Sequence, residues 1–304
     1  MNVKARTVRF LFNLTCGMVL LSLPVLACST AKPAPATASS VSNEPVLSGT
    51  SADPQRVEFQ AEDGRKLVGY YYPSKYVDAP IMILMHWAQG DLCDWSDIAL
   101  WLQNRADENP AKLERCANAG GNSWRDSSWF PPMASDASIA VFIFDFRGYG
   151  ESEQGGDRPD MVKDAWAAFK TAAGLSGVDA KQMAALGASI GADGAADGCL
   201  LYNQEMGGGC VGALSFSPGN YLGMQYSTVI ADLAPIATLC IAGELDGTSA
   251  QACAGADRQY YAHRNYPGSA AHGMELISPV LDPSPMALIQ LFIGLAFGED
   301  VQVK

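Results

Sequence analysis

Gly187-Ala188-Ser189-Ile190-Gly191 is a G-x-S-x-G segment set between an apolar run, Met183 to Leu186, and a helix-like stretch rich in small residues. In that setting the serine occupies a tight strand-to-helix turn, and the glycines let the two backbones approach. The hydroxyl is then presented at a helix N-terminus, whose free N–H groups stabilise developing negative charge. A dinucleotide loop is the competing reading. Gly187, Gly191 and Gly194 do not fit G-x-G-x-x-G, and no second strand ending in an acidic residue follows at the required spacing. A serine hydroxyl becomes a useful nucleophile only when a base removes its proton and a carboxylate orients that base.

The chain order for such a turn is serine, acid, histidine. Two histidines lie downstream. His272, in Ala271-His272-Gly273-Met274, falls in a loop before the terminal helix and is the candidate base. His263 closes a helix-like segment beside Arg264 and reads as structural. Asp246, in Gly243-Glu244-Leu245-Asp246, follows an apolar strand on the side where open α/β sheets place their sites, which favours it as the acid. Glu244 is its competitor.

The elements that must position these residues read as follows. Val57, Phe59 and Ala61 alternate with polar residues, and Glu62-Asp63-Gly64 supplies a turn into a second strand from Lys66 to Tyr72, giving an antiparallel hairpin. Apolar runs at Ile81 to Met85, Ile139 to Phe144, Met183 to Leu186, Val211 to Phe216 and Ala237 to Ala242 suit parallel strands covered on both faces. Helix-like segments run from Asp160 to Ala173, Ile190 to Tyr202, Ser249 to His263 and Pro285 to Phe297. The alternation predicts an α/β domain with a mostly parallel central sheet, helices on both faces and an N-terminal antiparallel hairpin.

Four segments in this order resemble the α/β-hydrolase family over Arg56 to Phe297, in particular its dienelactone-hydrolase-like serine esterases. They are Met85-His86-Trp87-Ala88-Gln89-Gly90, Asp145-Phe146-Arg147-Gly148-Tyr149-Gly150-Glu151-Ser152, the Ser189 segment, and the G-x-x-D … H-G pair at Gly243 and His272. The resemblance implies an α/β-hydrolase fold with nucleophile Ser189, acid Asp246 and base His272. It also implies oxyanion N–H donors at Ile190 and at Ala88 or Trp87. Trp87 departs from the pattern, standing where the family usually has glycine. His86 reads as structural, and Asp145 with Arg147 as a loop-fixing pair. The implied reaction cleaves a carboxylic ester or related acyl bond of a small-molecule substrate, with no cofactor and no metal. A serine peptidase of the same fold and a non-catalytic surface binding protein are the alternatives.

The first residues predict export. Lys4, Arg6 and Arg9 precede an uncharged, mostly apolar run to Leu26, and Val25-Leu26-Ala27-Cys28 resembles the lipobox of bacterial lipoproteins. That resemblance implies a signal peptide at 1–27, lipidation of Cys28 and membrane anchoring in the bacterial cell envelope. Residues 28–53, rich in Ala, Ser, Thr and Pro, read as a flexible tether, and 54–304 as the folded domain. Six cysteines remain beyond Cys28. In an oxidising compartment, short-loop closure favours Cys93–Cys116, Cys199–Cys210 and Cys240–Cys253. Between the third and fourth strands, a long segment carrying Trp95, Trp101, Trp124, Trp129 and Phe130 must hold a helix near Trp95 to Arg105. Its other aromatics either pack the insertion itself or wall a cleft.

Of the 304 residues, 48% are hydrophobic and 17% charged, which excludes a mainly disordered chain. With 20 basic against 32 acidic residues and a net charge of −12, a general nucleic-acid binder is excluded as well. Three histidines leave little room for a multi-histidine metal centre.

Overall fold

The structure is a computed structural model that describes residues 47–117, 125–256 and 260–298, all within one body spanning residues 44–304. The expected signal peptide, Cys28, the tether up to residue 46, and Trp124 lie outside the described residues. Among those described, no helix is long and apolar enough to cross a membrane.

Eight strands form one sheet in the order β1-β2-β4-β3-β5-β6-β7-β8. β1 (Gln55–Gln60) and β2 (Lys66–Tyr72) make the antiparallel hairpin, and β2 pairs antiparallel with β4 (Ala140–Asp145). From β4 onward every pairing is parallel, through β3 (Ala79–Met85), β5 (Val178–Ala188), β6 (Cys210–Phe216), β7 (Ala237–Gly243) and β8 (Tyr261–Tyr266). Because side chains alternate along a strand, Ile81, Ile83 and Met85 face one side of the sheet while Met82 and Leu84 face the other. The first face is covered by α3 (Met161–Ala173), α4 (Ile190–Met206) and α5 (Tyr226–Leu233). The second is covered by α1 (Ser96–Gln103) and α7 (Pro285–Phe297). A helical turn α2 (Glu114–Ala117) lies in the insertion between β3 and β4, and α6 (Gly247–Ala254) follows β7.

The three cysteine pairs favoured by short-loop closure are bonded, with Cα–Cα distances of 5.2, 5.4 and 5.5 Å. Trp95 is fully buried, and Trp101 donates Nε1–H to Pro131 O and packs against Phe130. These aromatics pack the insertion against the α1 and α7 face.

Three expectations need correction. The helix-like segment from Ser249 to His263 ends at Ala254, and Tyr261–Tyr266 is the edge strand β8, so His263 is a strand residue. An edge strand pairs on one side only, and this one is mostly polar and half exposed, which removes the apolar signal. The tether ends before residue 53, because residues 47–53 already lie on the body. Leu47 bridges to Tyr76, while Arg105 and Gln103 donate to the carbonyls of Thr50 and Ala52. A buried guanidinium and a buried amide need acceptors, and this polar segment supplies them. Finally, Asp145 and Arg147 do not pair. Arg147 binds Asp164 and Asp63, and Asp145 accepts from Arg115 and from the amides of Leu92 and Glu151. Each fixes its own loop.

Candidate active site

β5 delivers the chain into the sheet's C-terminal end, where α4 must start at once. Ser189, between them, has φ 54 and ψ −115, a region that costs a non-glycine residue about 1–3 kcal/mol. Two glycines make the turn possible. A Cβ on Gly187 would lie 1.8 Å from Gly191 O, and a Cβ on Gly191 would lie 2.2 Å from Met85 O. The turn is held by Ser189 N–H donating to Phe216 O at 2.8 Å, and by Ser189 O accepting from Ala192 and Asp193. Ser189 remains 6% exposed at the mouth of the turn.

His272 arrives from the far end of the chain, in the loop between β8 and α7. Its Nε2 is 2.8 Å from Ser189 Oγ, and its Nδ1 is 2.8 Å from Asp246 Oδ2. A carboxylate only accepts, so the imidazole carries its proton on Nδ1 and leaves Nε2 to accept from the serine hydroxyl. Asp246 caps the start of α6, and Ala250 N–H donates to its carbonyl at 2.8 Å. Gly243 lets the histidine loop cross closely over β7, since a Cβ there would sit 2.6 Å from Ser269 O. Glu244 is turned away and accepts from Gly268 N–H at 2.7 Å, fixing the next turn. Residues 83 and 26 positions apart in the chain thus form one continuous hydrogen-bonded line.

Ile190 is the first residue of α4, so its N–H has no acceptor within the helix. The close approach of Gly191 to the carbonyls of Met85 and His86 sets the start of α4 against the turn carrying Trp87 and Ala88. The Trp87 indole, 9% exposed, donates Nε1–H to Asp94 Oδ2 at 2.8 Å and packs behind the His272 loop. A Cβ on Gly273 would lie 2.9 Å from its Cε3. Burial pushes the Asp94 carboxyl up to about 6, against the pull of the Trp87 bond and Arg125. His86 is fully buried and accepts Phe146 N–H on Nε2, so its Nδ1–H donates to Trp87 O at 2.7 Å. Burial lowers its pKa, which keeps this structural ring neutral.

Three residues in the site's surroundings escaped the sequence reading. Ser217 Oγ accepts from Gly273 N–H at 3.0 Å, Tyr221 stands edge-on to the His272 ring at 6.2 Å, and Asp193 is buried one turn beyond Ser189. Only Asp193 carried a signal, as one of two acids four residues apart in the otherwise small and apolar first half of α4. Among the described residues, no group of three or more His, Cys, Asp or Glu side chains gathers to hold a metal.

No family model matches the chain. The uncharacterized protein YfhR of Escherichia coli strain K12 is 28% identical over 141 residues, which are 45% of this chain and 38% of that protein. The protein of the same name from strain O157:H7 matches to the same extent, so the match spans well under half the length of these curated relatives. Among solved structures, the α/β hydrolase GrgF from Penicillium sp. sh18 superposes with a TM-score of 0.56 at 14% identity, covering 80% of this chain and 99% of that one. The carboxylesterase EstE1, cloned from a metagenomic library, gives 0.52 at 16% identity over 83% and 88%. A Pyrobaculum calidifontis esterase gives 0.53 at 16% identity over 84% and 87%. The chain has the α/β-hydrolase fold.

Proposed function

We propose that the protein is a serine hydrolase that cleaves a carboxylic ester or related acyl bond. The observation that carries this reading is the line from Ser189 Oγ through His272 to Asp246, with both links at 2.8 Å. Ser189 Oγ attacks the acyl carbonyl carbon while Nε2 of His272 takes the hydroxyl proton, and Asp246 stabilises the imidazolium through Nδ1–H. The carbonyl oxygen becomes an oxyanion held by the N–H of Ile190 and that of Ala88 or Trp87. His272 returns the proton to the departing alkoxide, leaving an acyl ester on Ser189. Water, deprotonated by the same imidazole, releases the acid and restores the serine. Solved structures of the same fold include a carboxylesterase and an esterase, which supports this class of reaction.

The test is turnover of p-nitrophenyl acetate by the wild type and by Ser189→Ala. Wild-type turnover with loss of at least about 10³-fold in the folded variant is expected; equal rates would refute the assignment.

Export and lipidation at Cys28 belong to the same proposal. Three cysteine pairs suit an oxidising compartment and support it. Metabolic labelling with a radioactive fatty acid should mark the wild type and not Cys28→Ser.

A further inference from the structure

Asp193 is 1% exposed. Its carboxylate is taken up by one loop. Oδ1 accepts from Gly219 N–H at 2.9 Å, Oδ2 accepts from Tyr221 N–H, and the amides of Asn220 and Leu222 also favour its charge. That loop, residues 217–223, meets the candidate base twice. Ser217 Oγ holds the amide of Gly273, the residue directly after His272, and the Tyr221 ring abuts the imidazole. The loop's shape is not a relaxed one. Ser217 and Asn220 have φ of 56 and 61, and the Tyr221 ring folds so tightly back that a Cβ on Gly219 would lie 2.3 Å from it. Such a loop needs an anchor that over-determines it.

We propose that Asp193 is a positioning residue: it fastens the 217–223 loop to the nucleophile's own helix, so that Ser217 and Tyr221 hold His272 within reach of Ser189. This inference rests on the serine-hydrolase reading above. Ser189 and Asp193 lie one turn apart on α4, so the nucleophile and the loop that frames the base share one rigid element. Burial pushes the Asp193 carboxyl up to about 6, against the pull of the four amides. The other titratable groups facing it are Asp197 on the same helix, Tyr226 from α5 and Tyr221. All three are raised above their usual values, mainly by burial.

The experiment is steady-state kinetics of the full chain on p-nitrophenyl acetate with Asp193→Asn, beside Ser189→Ala and Ser217→Ala. An amide offers one acceptor oxygen and turns N–H donors toward backbone N–H donors. A displaced base costs on the order of 10- to 100-fold in rate, so kcat of Asp193→Asn should fall by that factor. KM should stay within about threefold, and the folded far-UV spectrum should be kept. Ser217→Ala should show the same split with a smaller fall, and it decides the matter if Asp193→Asn does not fold. A folded Asp193→Asn with wild-type kcat, beside an inactive Ser189→Ala, overturns the positioning role and leaves the hydrolase reading standing. Wild-type kcat in Ser217→Ala, where Asp193→Asn fails to fold, overturns it too. Absence of ester turnover and of fluorophosphonate labelling in the wild type removes the hydrolase reading and this inference together.

Discussion

At the residue scale, the strained backbone of Ser189 is affordable because its surroundings leave it no alternative. Gly187 and Gly191 bring β5, α4 and the end of β3 within backbone contact, and the bond to Phe216 O pins the serine amide. The strain places Oγ in front of imidazole rather than against the sheet. The same scale separates the two acids of the Gly243–Asp246 segment. Asp246→Asn should lower kcat by about 10³- to 10⁴-fold, because an amide no longer selects the Nδ1–H tautomer. Glu244→Gln keeps an acceptor for Gly268 N–H and should change kcat by less than about threefold. Esterase kinetics on the two variants check the pair; a larger loss in Glu244→Gln would reverse the assignment of the acid.

At the element scale, the site is carried by the ends of β3, β5, β6 and β7 and by loops clamped to them. Cys240 lies on β7 and Cys253 in α6, so their bridge closes the 13-residue span that presents Asp246. Replacing both with serine should cost about 2–4 kcal/mol of stability, read by denaturant unfolding. A loss below about 0.5 kcal/mol would show that packing alone holds the loop. Much of this framework was legible in the residues. Uninterrupted apolar runs marked the buried strands, Pro285 at N1 marked the start of α7, and the G-x-S-x-G turn marked the junction of β5 with α4. What was illegible is polar for a physical reason. The first half of β5, Val178 to Gln182, is half exposed, and β8 lies at the edge, so neither shows an apolar run. α5, at eight residues, follows a loop whose anchor, Asp193, is distant in sequence. The partners of Arg147, Asp63 and Asp164, lie 84 and 17 positions away, a pairing that no local pattern encodes.

At the scale of the whole molecule, charge and burial set the response to pH. Asp94 and Asp193, both at about 6 when folded, titrate near 3.9 when unfolded. At these two groups the folded chain therefore binds more protons between those values, which favours folding as pH falls from 7 toward 5, while His86, whose pKa burial lowers, acts the other way because the unfolded imidazole is protonated first. Each carboxyl contributes on the order of 1 kcal/mol over that range. Relief of self-repulsion in a chain of net charge −12 acts in the same direction. Asp63 acts oppositely. Its hydrogen bonds to Arg147 lower it to about 2, so its contribution is present above pH 4 and lost as pH falls toward 2. Between pH 7 and 5 the thermal midpoint of the wild type should therefore respond more favourably to acidification than that of Asp94→Asn, as calorimetry would show; identical pH profiles would contradict the burial of Asp94.

The central claim is covalent: one hydroxyl, activated by one imidazole, carries the acyl group. Peptide mass mapping after treatment with a fluorophosphonate tests it most directly. A single adduct on Ser189 in the wild type, lost in His272→Ala, is the result this account predicts. No adduct, or an adduct on another serine with Ser189 unmodified, would contradict it.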